Sequence, residues 1–376
     1  MNNRALWTCL LLAALPAAIS HWHTIPVHGA SAHSPITAAL WNRQTAAAYL
    51  DNREVWWQQW PRAQKDHGTL CISCHTNVPY ALARPALRSE LNETGMAGPE
   101  KIMIDSVEKR VSQWSEMVPF YSDAANGPGK TAEAHATEAV LNAIILASYD
   151  ARQTHLRAIT RTAFDAAWAL QQTGGDRAGG WQWQDFHLAP WESANSAYQG
   201  AALLLFEAGS APDHYTKEPA TRDHIDRLRA YLQRQYATQP LMNQLYVLWA
   251  STRIHGLITI AERKSLLTTL QALQQSDGGW KLSSLDTWKR VDNSAASPES
   301  DGFATSLAIL VMEDSGTNHS DPTFKRGLVW LEQHQQKDGN WPAASMNKLR
   351  DPDSAPGPFM SDAATGYAVM ALERAR

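Results

Sequence analysis

Residues 326–341 read RGLVWLEQHQQKDGNW, and this stretch decides the fold. Its first half spaces apolar residues as an amphipathic helix does, ending with Trp330 and Leu331. Gly339 then ends the helical run, because glycine leaves the helical conformation at little steric cost. Trp341 follows, and its ring can pack back over the turn. The stretch therefore predicts an outward-facing helix, a glycine turn and a tryptophan that closes the turn.

The same order of residues occurs at two earlier places in the chain. Residues 270–280 read LQALQQSDGGW and residues 168–181 read WALQQTGGDRAGGW. A degenerate copy at residues 229–235, RAYLQRQ, has the glutamine but lacks the Gly-x-Trp end. Repeated units of this kind bury their apolar faces by stacking on one another. We therefore expect a repeat architecture.

These copies match the QW motif, in which a basic-Gly-x-x-aromatic-aliphatic segment is followed by glutamine and Gly-x-Trp. The chain resembles the squalene-hopene cyclase and prenyltransferase superfamily over residues 98–376. The resemblance implies an all-α fold, an (α/α) toroid of about five pairs of inner and outer helices. A small helical segment would precede this toroid.

Apolar, alanine-rich segments are predicted as the inner ring, since a helix that is apolar nearly all round must be enclosed by neighbours. They are residues 137–149, 193–206, 242–250, 301–312 and 362–372. Amphipathic segments such as 222–236 are predicted as outer helices, the first being 99–117. Polar side chains stand near the heads of the inner helices: Glu138, Glu192, Asn195, Asp301 and Asp362. They either cap these helices or form the polar mouth of a cavity.

The chemistry of the resembled families is not expected here. Squalene-hopene cyclases protonate an alkene with the central aspartate of a D-x-D-D-T segment. The nearest match, residues 299–305 (ESDGFAT), keeps Asp301 without the second carboxylate that would raise its pKa. Protein prenyltransferases need a zinc ligand set of Asp, Cys and His, and the repeats contain no cysteine.

Residues 71–75 read CISCH, the C-x-x-C-H signature of covalent c-type haem attachment. Two thiols on one turn, Cys71 and Cys74, can add across the two vinyl groups of a haem, and His75 can bind its iron. We expect one covalent haem c in a tryptophan-rich module, residues 21–97, that precedes the toroid. The alternatives are a thiol redox pair and part of a metal site.

Spacing does not determine the remaining haem contacts. Met96, the nearest downstream methionine, is the first candidate for the sixth iron ligand; a five-coordinate iron is an alternative, as are Met103, Met117, His67 and His135. Arg84 and Arg88 are one helical turn apart and are candidates for pairing with the haem propionates. Tryptophans 41, 56, 57 and 60 either wall the macrocycle or belong to the core.

The first twenty residues predict export. Arg4 precedes an apolar run, and Ala18-Ile19-Ser20 forms a small-x-small cleavage site. We expect residues 1–20 to be a cleavable signal peptide and the mature chain to be periplasmic without a transmembrane segment; an uncleaved N-terminal membrane anchor is the alternative. The 33 basic and 37 acidic residues are interspersed and give a net charge of −4, which disfavours nucleic acid as a partner.

The sequence therefore favours electron transfer by a periplasmic monohaem c-type cytochrome with a cyclase-like toroid. Its redox partner is not identified by any motif. The alternative is a haem-dependent oxidoreductase that acts on an isoprenoid or another apolar ligand held in the toroid. A non-redox terpene cyclase ranks below both, because resemblance in fold does not fix function.

Overall fold

The computed structural model describes residues 41–375, in which thirteen α-helices and one two-stranded hairpin are found. The predicted signal peptide lies outside the described residues. Among the described helices, none is long and apolar enough to cross a membrane. The predicted all-α class is confirmed.

Twelve of the helices alternate between an outer and an inner position. The outer helices are α1 (Arg43–Gln59), α3 (Gly98–Ser112), α6 (Ala158–Ala169), α8 (Pro219–Gln235), α10 (Ile260–Leu273) and α12 (Pro322–His334). The inner helices are α2 (Asn77–Glu90), α5 (Lys130–Asp150), α7 (Ser196–Ser210), α9 (Leu241–Ser251), α11 (Gly302–Asp314) and α13 (Phe359–Arg374). A short helix, α4 (Asp123–Asn126), precedes α5.

The inner helices form a closed ring. Each contacts the next along the chain, and α13 packs against α2 to complete the circle. Their apolar sequences explain the placement: α11, for example, is buried along its whole length from Gly302 to Met312. The ring has six helix pairs, one more than the sequence predicted, because α1 and α2 form a pair of their own. Residues 41–90 are thus part of the toroid rather than set apart from it.

The glutamine of each repeat connects one helix pair to the next. Gln274 donates through Nε2 to the carbonyl of Gly278 in its own turn and to that of Thr323 in the next outer helix, both at 2.8 Å. Gln335 does the same with Gly339, at 3.1 Å, and with Asn42, at 2.9 Å. Because Asn42 directly precedes α1, the last repeat closes the ring onto the first helix.

The tryptophans of the repeats are core residues. The ring nitrogen of Trp341 donates to the carbonyl of Leu331 at 2.7 Å, and that of Trp280 donates to Leu270 at 2.8 Å. Both indoles are fully buried. Each thus satisfies a carbonyl near the end of an outer helix that the helix itself leaves unpaired. The predicted packing of tryptophan over the turn is confirmed.

A β-hairpin separates the first two helices. Strands β1 (Gln64–Lys65) and β2 (Thr69–Leu70) pair antiparallel, and the chain then enters the C-x-x-C-H segment directly. The amide of Leu70 donates to Ser106 Oγ at 2.9 Å, which fixes the hairpin to α3. The hairpin therefore fixes the position of Cys71, the first residue of the motif, relative to α3.

Candidate functional site

The C-x-x-C-H turn lies at the start of the inner helix α2. Ser73 Oγ accepts hydrogen bonds from the amides of Thr76 and Asn77, each at 3.2 Å, and so satisfies two of the free donors at this helix start. Asn77 Oδ1 accepts from the Ser73 amide at 2.8 Å. Ser73, one of the two middle positions of the motif, thus ties the turn that carries Cys71, Cys74 and His75 to the start of α2.

Helix α1 holds this turn from outside. The indole nitrogen of Trp57 donates to the carbonyl of Cys71 at 2.7 Å, and Asn77 Nδ2 donates to Glu54 Oε2 at 2.7 Å. Both Trp57 and Glu54 are buried. The motif is therefore a rigid part of the toroid, fixed by the outer helix of its own pair.

Both cysteines and the histidine line one cavity of about 490 Å³. A volume of this size is typical of cofactor and small-molecule sites. Aromatic side chains supply much of its wall: Trp57, Trp60, Tyr121, Trp191 and Phe359. Of the four tryptophans before the motif, Trp57 and Trp60 are thus wall residues, whereas Trp41 packs on Trp341 with ring centroids 5.8 Å apart.

The two thiols are unpaired and buried or half-buried. Burial raises the pKa of Cys71 to about 12 and raises that of Cys74 above its usual range. Cysteines of thiol redox pairs have lowered pKa values that favour the thiolate. The environment of these thiols is thus unlike that of a disulfide oxidoreductase.

A hydrogen-bonded chain leads from His75 into the protein. His75 Nδ1 lies 2.9 Å from Thr76 Oγ1, and that hydroxyl donates to Asp362 Oδ2 at 2.7 Å. A carboxylate only accepts, so the Thr76 hydroxyl donates its hydrogen to Asp362. The Thr76 oxygen then accepts a hydrogen bond from Nδ1–H of His75. The remaining ring nitrogen, Nε2, makes no hydrogen bond to any described residue and keeps its lone pair.

The surroundings of His75 favour the neutral ring. Its imidazole stacks on Phe359 with ring centroids 3.7 Å apart and meets Trp57 edge-on at 5.3 Å. Burial, with the positive charges of Arg53 and Arg350, lowers the pKa of His75 to about 3. A neutral imidazole with one free nitrogen is the form that binds metal ions.

Polar groups also line the cavity. Among the described residues that line it, Glu192 is the one carboxylic acid, while Arg62 and Arg350 are the cations. Burial raises the pKa of Glu192 to about 7, and its carboxyl makes no hydrogen bond to a described residue. Arg350 is held by a hydrogen bond from its guanidinium to Asn347 Oδ1 at 2.8 Å.

The structure does not bring the predicted propionate partners to this cavity. Arg84 is buried and pairs with Asp51 at 2.9 Å and with Glu93 at 2.8 Å. Arg88 forms an ion pair with Glu100. Both arginines lie farther along α2, away from its motif end. Arg62 and Arg350 line the cavity instead, and no local spacing links either of them to the motif.

Met96 also lies elsewhere: it is 42 % exposed and lines a different cavity with Arg88 and Glu93. None of the alternatives lines the motif's cavity. Met103 is buried in α3, Met117 lies beside Arg110, His67 beside Asp66, and His135 stacks on Trp114. Met360 is a methionine that does line it, in the first turn of α13. Met360 is far from the C-x-x-C-H motif in the sequence, so no spacing pattern could have indicated that it lies near His75.

The five polar residues at the inner helix heads have different roles. Asp301 caps α11, accepting from the amides of Phe303 at 3.0 Å and Ala304 at 2.9 Å. Glu138 is ion-paired with Arg110, and Asn195 is the exposed N-cap of α7. Of the five residues predicted to form the polar mouth, Glu192 lines the cavity. Asp362 does not line it but is hydrogen-bonded to Thr76, next to His75.

The middle of the ring is filled by side chains. A cavity of about 30 Å³ lies beside Cys74 among the inner helices, enough for about one or two water molecules. The hydroxyls of Tyr246 and Tyr367 meet at 2.6 Å, and Phe303 packs on Tyr367 with centroids 5.0 Å apart. At this place the ring offers no room for a large hydrocarbon.

Comparisons with known proteins agree with the fold. A probable squalene-hopene cyclase from Sinorhizobium fredii is 24 % identical over 161 residues, which is 39 % of this chain and 25 % of the cyclase. The GH76A alpha-1,6-mannanase from Salegentibacter sp. HEL1_6 superposes with a TM-score of 0.52 at 9 % identity, covering 88 % of this chain and 100 % of the mannanase. The fold is a cyclase-like α/α toroid. No family model matches the sequence.

These likenesses are limited to the scaffold. The matched region spans a quarter of the cyclase's length. A glycosyl hydrolase family 88 protein from Bacteroides vulgatus superposes with a TM-score of only 0.34, at 12 % identity over 92 % of this chain and 94 % of that one. The likeness to the mannanase and the cyclase thus extends to the fold and not to an activity.

Proposed function

We propose that this protein is an exported monohaem c-type cytochrome whose haem is bound covalently at the rim of the toroid, and that its activity is electron transfer. The observation that carries the proposal is the convergence of Cys71, Cys74 and His75 on one aromatic-walled cavity of about 490 Å³. Thioether attachment needs both thiols beside the macrocycle, and iron binding needs a free imidazole nitrogen. Both conditions are compatible with the geometry.

The residues present fit such a group. Cys71 and Cys74 would hold it covalently, and Nε2 of His75 would bind its iron. Met360 would be the candidate for a second iron ligand, because it lies in the wall of the same cavity. Arg62 and Arg350 are the cations that could pair with propionates. When bound, the haem would supply one-electron redox chemistry. The protein would exclude water from the haem and hold His75 in place.

The proposal is tested by expressing the chain with a c-type haem maturation system. We expect the haem to stay with the polypeptide during denaturing electrophoresis. Replacing both Cys71 and Cys74 with alanine should abolish this covalent retention, while the surface variant Lys101→Ala should leave it unchanged. A wild-type protein that carries no haem after maturation would contradict the proposal.

A second candidate is a haem-dependent oxidoreductase, and the observation that favours it is Glu192. Its carboxyl faces the cavity, and its pKa, raised to about 7 by burial, would allow it to exchange protons near neutral pH. A substrate would have to enter the motif's cavity, since the space beside Cys74 within the ring is only about 30 Å³. Carbon monoxide binding to the reduced protein would support an open catalytic iron, and a saturated iron would support electron relay alone.

Glycoside hydrolysis, the activity in the mannanase's name, has little support in this cavity. Glycosidases generally use two carboxylic acids on opposite sides of the bond that breaks. Glu192 is the one acid among the described residues that line the cavity. A terpene cyclase also lacks its acid pair here, since the carboxylate of Asp301 caps α11 and accepts from the Leu282 amide at 2.6 Å.

A further inference from the structure

The buried contacts behind His75 connect the motif to a distant part of the chain. Asp362 lies in the first turn of α13, is 1 % exposed and receives the Thr76 hydroxyl at 2.7 Å. Its other oxygen accepts from Tyr49 Oη at 2.9 Å and from Arg53 Nε at 2.7 Å. Two side chains of the outer helix α1 therefore hold the carboxylate on the side away from Thr76.

We propose that Thr76 and Asp362 are positioning residues for His75. Their hydrogen bonds hold the imidazole in its Nδ1–H form, orient the ring and increase the electron donation of Nε2. This inference rests on the proposed haem site, but the ring's tautomer is a property of the chain alone. Partners of this kind orient metal-binding histidines, and their loss typically weakens metal binding about 10- to 100-fold.

The chain of bonds has a defined direction. Arg53 and Tyr49 donate to Oδ1, which leaves Oδ2 as the acceptor for Thr76. Thr76 then has no proton left for His75 and must accept from it. Reversal would need a proton on Asp362. Burial raises the pKa of this carboxyl, while the charge of Arg53 and the hydrogen bonds that the carboxyl accepts act in the opposite direction.

The first test uses the full chain produced without haem maturation and labelled with ¹⁵N in histidine. The ¹⁵N shifts of His75 should be those of the Nδ1–H tautomer, and Thr76→Val should release the ring to a mixture of tautomers. Thr76→Ser keeps the hydroxyl and should retain the wild-type form. An Nε2–H tautomer in the wild-type chain would overturn the inference, and this measurement needs no variant to fold.

The second test uses the haem-loaded protein. A weaker histidine donor stabilises ferrous over ferric iron, so Thr76→Val should shift the equilibrium between them toward the ferrous form. A tenfold shift would correspond to a reduction potential about 59 mV more positive for one electron. An unchanged potential in a correctly folded Thr76→Val protein would overturn the inference while leaving the haem proposal intact. A wild-type chain that takes no haem would contradict the haem proposal alone, because the tautomer of His75 can still be measured in the haem-free chain.

An independent observation lies at the opposite end of the ring. Glu207, three residues before the end of α7, is 3 % exposed and makes no hydrogen bond or ion pair with any described residue. It lines a cavity of about 430 Å³. Burial and the C-terminal end of a helix both disfavour a carboxylate, and the charges of nearby arginines offset only part of this effect, since the pKa of Glu207 stays raised.

Cations surround the same cavity. Arg253 is fixed over the ring of Phe206 at 5.1 Å and donates to Ser210 Oγ at 3.2 Å. Arg374 is fixed over Trp249 at 5.5 Å. Arg152 also lines the cavity, but its guanidinium makes no hydrogen bond or ion pair with a described residue. Arginines at helix C-termini complement the helix dipoles, which explains their charge but not the isolated carboxyl among them.

We infer that this cavity binds a small hydroxylated carboxylate, with its anionic group on Arg152 and a hydroxyl on Glu207. The cavity's volume fits a ligand of that size. Burial raises the pKa of Glu207 to about 8, so at neutral pH its carboxyl can both donate and accept. A hydroxyl group has the same dual capacity, whereas an ammonium group only donates.

Isothermal titration of the purified protein separates the contributions. Gluconate should bind at least about tenfold more tightly than acetate, which lacks hydroxyls, or sorbitol, which lacks charge. Arg152→Ala and Glu207→Leu should each weaken gluconate binding about 10- to 100-fold, and the surface variant Lys101→Ala should not. Glu207→Gln keeps a donor and an acceptor and should bind as the wild type does. Absence of gluconate binding, equal binding of acetate, or no effect of Glu207→Leu would overturn the inference.

Discussion

Single glycines in the repeat turns let neighbouring helix pairs approach closely. Gly339 has φ of +98°, and a Cβ atom there would overlap the carbonyl of Thr45 in α1. Gly179 is in the same situation against the carbonyl of Arg227 in α8. The Gly-x-Trp motif thus needs glycine for two reasons: the backbone is left-handed there, and a side chain would not fit.

We predict that Gly339→Ala destabilises the protein by about 2–4 kcal/mol, the sum of left-handed strain and steric overlap. Gly316→Ala is the matched control, because its φ is +74° but no atom lies within 4 Å of the added Cβ. It should cost only about 1–2 kcal/mol. Urea unfolding of both variants measures the difference, and equal losses would argue against the close approach.

The sequence revealed the local part of the site and missed the distant part. C-x-x-C-H is recognisable because its chemistry needs adjacent residues. Thr76 follows directly, but its partner Asp362 is brought to it only by closure of the ring. Met360, Arg350 and Glu192 likewise reach the cavity from other repeats. Arg84 and Arg88 had the right charge for propionates but are neutralised by carboxylates that no short spacing indicates.

At the scale of elements, α2 is the helix that the sequence did not assign to the inner ring. Two prolines and two arginines, among them Pro85 and Arg84, interrupt its apolar pattern. It is nevertheless buried from Asn77 to Pro85, because Asp51 and Glu93 neutralise Arg84 within the fold. The other inner helices are apolar nearly all round and were therefore predictable.

Glu207 in helix α7 makes the free energy of unfolding depend on pH. Its pKa is about 8 in the folded protein against an ordinary value of 4.5, so the folded state binds more protons between these values. Stability should therefore fall as the pH rises from about 4.5 to 8. We predict that Glu207→Gln gains roughly 2–4 kcal/mol relative to wild type at pH 8 but little at pH 5. Denaturant titrations at the two pH values measure this, and a pH-independent effect would contradict it.

At the scale of the whole molecule, closure joins the two ends of the described chain. The amide of Asn42 donates to Gln335 Oε1 at 2.7 Å, and α13 packs on α2. Arg43 also pairs with Glu373 at 2.6 Å. The C-x-x-C-H motif therefore lies within a ring whose first and last helix pairs support it from both sides.

We predict that residues 98–376 alone do not form a stable domain. Removing α1 and α2 would expose the apolar flank of α13 and of α5, both of which contact α2. Circular dichroism during heating should show no cooperative transition for the fragment, while the full chain should show one. A cooperatively folding, monomeric fragment would mean that the segment before residue 98 is separable after all.

The central claim is that the cavity at the motif holds a covalent c-type haem. The most direct measurement is the absorption spectrum of the reduced protein in alkaline pyridine, after denaturation and removal of free haem. We predict the α-band of a haem attached by two thioether bonds, one haem per chain, and its loss when Cys71 and Cys74 are both replaced with alanine. A protein matured with haem supplied that shows no such band would contradict the claim.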